Sequence, residues 1–390
     1  MNTFNAIVAA LTFFAFALLS PLEPAASEEP GGELSEELER QMSEIDVSPW
    51  DEYTEALRPF TGVDYDDLDG LLLKISENGL ASSSSDLLGR LWSLLKERLK
   101  DSWKMIALLT VYALITSLSG IVSDEEIGKT LGMMLCAAAV TSITGLLASL
   151  LTTAREAVVK TGQLSEKTMP IMSALMVSIG AENTAGVFTP QFVFLSGTVI
   201  KVIEKAVLPL AAARGVVSAA DAIAGEAKLG GLLKLLKKLV RWILGILSTV
   251  YAGSAAIQGM TAASRDGVAV RTAKYALDKL VPIAGGIVNG TADSIMGCAL
   301  LLRNGIGTAA VLILISVISG PLIVLLLGML VFRAAEAVCS PLADERAVRL
   351  LSNAADTASD LFACAAVSGA MYALTILVIM ASGGIAAGLW

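Results

Sequence analysis

Beyond residue 28 the chain holds six stretches of eighteen residues or more without a charged side chain: Met105 to Ser123, Thr130 to Ala154, Asn183 to Ile200, Trp242 to Ser264, Asn304 to Phe332 and Leu361 to Trp390. A helix rising about 1.5 Å per residue crosses a hydrocarbon core of about 30 Å in about 20 residues. It also satisfies its own backbone polar groups where no water can. The pattern therefore predicts an all-α, polytopic membrane protein with interrupted helices. A mean hydropathy of +0.70 and 34 glycines agree, because small residues let helices approach closely in lipid.

The net charge of -9 is misleading. Residues 28–70 hold 15 acidic and only 2 basic side chains, so the rest of the chain is net positive. There is no histidine, which removes the usual general base and the commonest metal ligand. No G-x-S-x-G or paired-aspartate motif falls on the apolar stretches, so no catalytic residue, metal or other cofactor is expected. Cys136, Cys298, Cys339 and Cys364 form no C-x-x-C pair and read as small buried hydrophobes. Nothing points to nucleic acid.

Three domains follow from these shifts. Residues 1–27 resemble a secretory signal: Ala6 to Leu19 is apolar, and Pro21, Pro24 and Ala25-Ala26-Ser27 lead to a cleavage site. A basic start is missing, so an uncleaved anchor is the alternative. Residues 28–104 form an exported acidic helical region, with Leu34, Leu38, Met42 and Ile45 at helical spacing, followed by a basic juxtamembrane helix. The acidic region is either a solvated spacer or a docking site for a partner. Residues 105–390 form the multi-span membrane domain.

One joint in that domain sets Lys234, Lys237, Lys238 and Arg241 on one helical face and Leu232, Leu235, Leu236 and Leu239 on the other. Such a helix either lies on the membrane and binds anionic headgroups of the lipid bilayer, or its cations only set topology. A second amphipathic joint, Asp266 to Leu280, puts basic charge on the other flank of the Trp242 to Ser264 span, so the charge rule leaves orientation open.

Residues 130–221 and 242–356 read as possible repeats, each with a joint, a proline-started short span, a long span and an A-A-D stretch. Thr168 to Ala181 is too short to cross alone, which marks Pro170 and Pro282 as helix breaks, and Gly320-Pro321 should kink the long stretch around it. Glu182 and Asp293 recur at matching places. An ionisable group at membrane depth is costly, so each either lines a polar interior or caps a re-entrant turn.

At Asp266 the chain reads D-G-V-A-V-R-T-A-K-Y, then V-P-I-A-G-G-I, T-A-D-S-I and L-L-L-R-N-G-I-G through Gly307. This resembles the signature region of the stage III sporulation protein AE family, and Q-M-S-E-I-D from Gln41 resembles that family too. The resemblance implies a multi-pass protein of the mother-cell membrane around the forespore, with its N-terminal region exported. It also implies a non-enzymatic role in the channel or transport complex that links the two cells for late forespore development. Its partners would be the other membrane proteins of the same stage III sporulation operon and, indirectly, a forespore membrane partner. Where the family often has a further acidic residue just ahead of Asp293, this chain has Gly290, which argues against a paired-carboxylate ion site. The rival readings are an autonomous secondary transporter using Glu182 and Asp293, and an inert assembly scaffold.

Overall fold

A computed structural model describes residues 32–53, 72, 96, 125–178, 182–224, 229–280, 285–340 and 345–387. Helices account for every regular element among them: α1 (Gly32–Ser43), a 3-10 turn (Ser48–Tyr53), α2 (Glu125–Ser178), α3 (Glu182–Val202), a π-turn (Ile203–Val207), α4 (Leu208–Ala224), α5 (Gly230–Leu280), α6 (Gly285–Cys339) and α7 (Glu345–Ala387). Four contain segments long and apolar enough to cross a membrane: Ala137–Ser178, Gly230–Gln258, Leu301–Cys339 and Arg346–Met380. This is a multi-pass helical membrane protein. Of the six charge-free stretches, Met105 to Ser123 lies outside the described residues. Asn183 to Ile200 forms most of α3, which packs along α2 and is not among the four.

Close contacts fix how the helices run. α6 and α7 are antiparallel: Gly307 lies against Met380, Gly369 against Ile318, and Arg333 reaches Asp356. α2 and the α3–α4 arm are antiparallel as well, with Gly162 against Ile200, Arg155 bonded to Glu204 and Gly215 against Leu147. α5 instead runs parallel to α7, since Lys237, Arg241 and Tyr251 meet Asp356, Asp360 and Thr375 in order. α7 is the hub, packing on α2, α3, α4, α5 and α6. Its most apolar window is 61% buried against 22% for that of α5, so α7 is the inner helix and α5 faces the bilayer. Small residues make this possible, for Ala309, Ala310, Ala354, Ala355, Ala358 and Ala365 are all buried.

Pro170 does not end a helix, because α2 continues through it to Ser178. α6 also continues through Gly320 and Pro321. A proline forfeits one ladder bond, whereas ending a helix inside lipid would strand several backbone groups, so continuing is the smaller loss. The backbone adjusts instead at the π-turn Ile203–Val207. Residues 155–167 are no separate joint but the middle of α2. Pro282 lies outside the described residues.

The basic joint is not a separate element: residues 230–241 are the first turns of α5. Leu232, Leu235 and Leu239 point outward, continuing as Trp242, Ile246, Val250 and Ile257 in one exposed apolar stripe, while Leu233, Val240 and Leu244 are buried. The amphipathic helix is thus turned with its apolar face to lipid and part of its cationic face to the bundle.

Candidate functional site

Charges inside a low-dielectric bundle persist only when paired and hydrogen-bonded. Asp356 and Asp360 stand one helical turn apart on α7 and therefore share a face. Arg214 of α4, 1% exposed, binds both: Nη2 donates to Asp356 Oδ2 at 2.9 Å and Nη1 to Asp360 Oδ2 at 2.6 Å. From α5, Lys237 donates to Asp356, and Arg241 lies 3.7 Å from Asp360 Oδ1. From α6, Arg333 donates to Asp356 Oδ1 at 2.6 Å and to Glu336 at 2.9 Å. Four cations thus meet three carboxylates where α4, α5, α6 and α7 converge. Nearby, buried Asp221 accepts the Leu229 backbone N–H at 3.0 Å and so holds the loop from α4 into α5.

This cluster splits the predicted cationic face. Lys237 and Arg241 pair inward, while Lys234 and Lys238 are exposed and have no carboxylate partner among the described residues. Sequence reasoning missed Arg214, Asp356 and Asp360. Their signal was present: Asp356 and Asp360 are the only acids between Glu345 and the C-terminus, spaced four apart in an otherwise apolar helix.

A second polar centre lies further along α7. Trp50 of the 3-10 turn is fully buried, and its indole N–H donates to Thr168 Oγ1 at 3.2 Å. Thr168 is within 2.8 Å of the Tyr372 hydroxyl and donates to the Leu164 carbonyl. The turn is set by Asp46, whose carboxylate accepts the Ser48 backbone N–H at 3.1 Å. Beside it Lys167 pairs with Glu52 and sits 5.4 Å from the centre of the Tyr53 ring. The bond from Lys167 holds the Glu52 carboxyl below the usual carboxylate range, and burial pushes the Tyr53 phenol up. Leu38 and Met42 of α1 are buried as well, and α1 packs on α6, so the N-terminal segment is docked on the membrane body. Of the stripe expected from Leu34 to Ile45, Leu38 and Met42 pack from α1 and Ile45 is buried past its end, while the Leu34 side chain lies outside those described.

Glu182 is the first residue of α3 and Asp293 lies in the first turns of α6, but their side chains fall outside those described. Among the described residues no group of histidine, cysteine, aspartate or glutamate is placed to hold a metal ion. Cys339 and Cys364 are buried free thiols.

The profile of the family described as Stage III sporulation protein AE (spore_III_AE) matches residues 67–383. Stage III sporulation protein AE of Bacillus subtilis (strain 168) is 28% identical over 217 residues, covering 56% of this chain and 54% of the relative. The aligned part thus spans about half the length of that relative. No solved structure matches the chain.

Proposed function

Since the chain belongs to the stage III sporulation protein AE family, we propose that this sporulation membrane protein is a non-enzymatic subunit of the channel or transport complex that joins mother cell and forespore. It sits in the mother-cell membrane around the forespore and keeps its N-terminal segment on the exported side. Its partners are other membrane proteins of the stage III operon and, through them, a forespore membrane protein.

One observation carries this reading: the buried Trp50 anchors the acidic N-terminal segment to the membrane body through Thr168 and Tyr372. A segment so fixed can hold a partner at a set position over the membrane domain, which a loose spacer cannot. A cation-coupled transporter fits less well. Among the described residues the buried carboxylates are occupied, Asp356 by three cations, Asp360 by Arg214 and Arg241, and Asp221 by a backbone amide.

The test is compartment-specific rescue. The chain is expressed in an endospore-forming host lacking its own family member, from a promoter active only in the mother cell or only in the forespore. Mother-cell expression should restore a late forespore reporter and heat-resistant spores. Rescue from the forespore alone would end the placement, and a late reporter unaffected by the deletion would end the role.

A further inference from the structure

One level of the bundle is fixed by contacts among four helices. Thr168 of α2 meets Tyr372 of α7, Tyr251 of α5 bonds to Thr375 of α7, and the rings of Phe192 of α3 and Tyr251 lie 6.4 Å apart. Phe192, Tyr251 and Tyr372 fall within three charge-free stretches, Asn183 to Ile200, Trp242 to Ser264 and Leu361 to Trp390. The level is therefore at membrane depth.

Around that level the two flanks of the bundle differ in kind. The α3 and α5 flank shows Phe194, 75% exposed, and Val250, 56% exposed, as a lipid-facing surface should, and its exposed Lys201 comes further along α3, where Ile200 meets Gly162. The α2 flank shows Lys160, Gln163 and Glu166, all exposed, and Lys167, half-exposed. The N-terminal turn seated on this flank adds Asp51 and Glu52, exposed as well. Lysines can reach toward headgroups along their stems, but a glutamate beside Thr168 cannot, and charge held against hydrocarbon is strongly unfavourable. Just behind α2, a small cavity is lined by Ser165, Ser196 and Tyr372 together with Val199, Ile200 and Met371. The Ser165 hydroxyl is buried and has no hydrogen-bond partner among the described residues.

We infer that the α2 flank, from Lys160 to Lys167 with Asp51 and Glu52 above it, borders a water-filled cleft at membrane depth that admits small hydrated ions and polar solutes. The cleft rests on the channel reading for its purpose, and on the contacts above for its existence. Lipid covers α3 and α5; water covers α2. The docked turn narrows the cleft without closing it, because Glu166 and Gln163 stay exposed beside it.

The test uses the full chain in lipid vesicles with Cys136, Cys298, Cys339 and Cys364 replaced by alanine. Single cysteines are placed by Gln163→Cys, Glu166→Cys, Phe194→Cys and Val250→Cys, all at exposed positions whose replacement leaves packing intact. A membrane-impermeant cationic thiosulfonate should modify the first two about a hundredfold faster than the last two, because only a hydrated thiol ionises and reacts. In parallel, Val250→Trp should be quenched most by lipids brominated at mid-chain, which establishes depth. Unreactive cysteines at both α2 positions, equal rates on the two flanks, or strongest quenching by headgroup-proximal bromine would each overturn the cleft. Because the readout is chemical, a failed sporulation rescue leaves the cleft standing, and a dry flank leaves the family role standing.

Discussion

Arg214 and Asp360, 146 positions apart in the chain, form an ion pair of 2.6 Å in which the side chains are 1% and 3% exposed. The pair ties the α3–α4 arm to the central helix α7, and through Asp356 to α5 and α6 as well. Four of the six long helical elements therefore depend on one guanidinium and two carboxylates for their registration.

Removing one side of such a pair leaves an uncompensated charge in the bundle. Arg214→Leu should cost about 3–5 kcal/mol, seen as a lower unfolding temperature in detergent. Replacing both partners by apolar residues, Arg214→Leu with Asp360→Leu, should recover a large part of that loss. If the double variant is as unstable as the single one, Asp360 is not the partner whose burial matters.

The cationic face of α5 divides by partner. Lys237 meets Asp356, whereas Lys234 is exposed with no carboxylate partner among the described residues. Lys237→Met should destabilise by about 0.5–1.5 kcal/mol, the net worth of one hydrogen bond, because Asp356 keeps Arg214 and Arg333. Lys234→Met should stay within about 0.5 kcal/mol, as for other surface positions. Equal losses in paired unfolding measurements would contradict the inward turn of α5.

These contrasts show where sequence reading succeeds and stops. Charge-free runs such as Asn304 to Phe332 declare a membrane helix because lipid penalises any other backbone conformation. The orientation of an amphipathic turn is not declared. Leu232, Leu235 and Leu239 would sit equally well on protein or on lipid, and only the carboxylates of α7, more than a hundred positions away, draw Lys237 and Arg241 inward. Pro170 misled for a related reason, since local propensity marks a break and the surrounding helices remove it. Trp50 was silent in sequence because its partner Thr168, and the Tyr372 hydroxyl that Thr168 meets, belong to two different distant helices.

Docking of the N-terminal turn should depend on pH in a defined window. The Lys167 bond depresses the Glu52 carboxyl, so its contribution is present above the ordinary value of 4.5 and fades as pH falls through the lower, docked value. Burial raises the Tyr53 phenol, so its contribution is present below the ordinary value of 10.0 and fades as pH rises toward the docked value. Protease cleavage of the N-terminal segment on intact vesicles should be slowest between these limits and accelerate outside them. A rate independent of pH from acid to alkaline would show that neither group holds the turn.

Asp293 lies in the first turns of α6, and this chain has Gly290 where a paired carboxylate would sit. Asp293→Asn keeps the shape and removes the charge, so it should leave heat-resistant spore counts at the unsubstituted level in the rescued host. A cation-coupled transporter would lose its coupling group, and a collapse in spore yield with normal protein levels would restore that reading.

A close approach of α6 to α2 gives a packing test. Gly328 of α6 faces Leu150 of α2, and a Cβ placed there would lie 2.7 Å from Leu150 Cδ1 and 2.8 Å from Cδ2. Leu150 is itself buried, so its isobutyl group has little room to retreat. Gly328→Ala should therefore destabilise by about 1–3 kcal/mol through overpacking, although alanine is the better helix former by about 1 kcal/mol. Adding Leu150→Ala makes space and should recover part of the loss, a coupling that a double-mutant cycle measures directly. At Gly320 nothing lies within 4 Å of the added carbon, so Gly320→Ala should be neutral or stabilising. If Gly328→Ala and Gly320→Ala shift the unfolding temperature alike, α2 and α6 do not meet at this point.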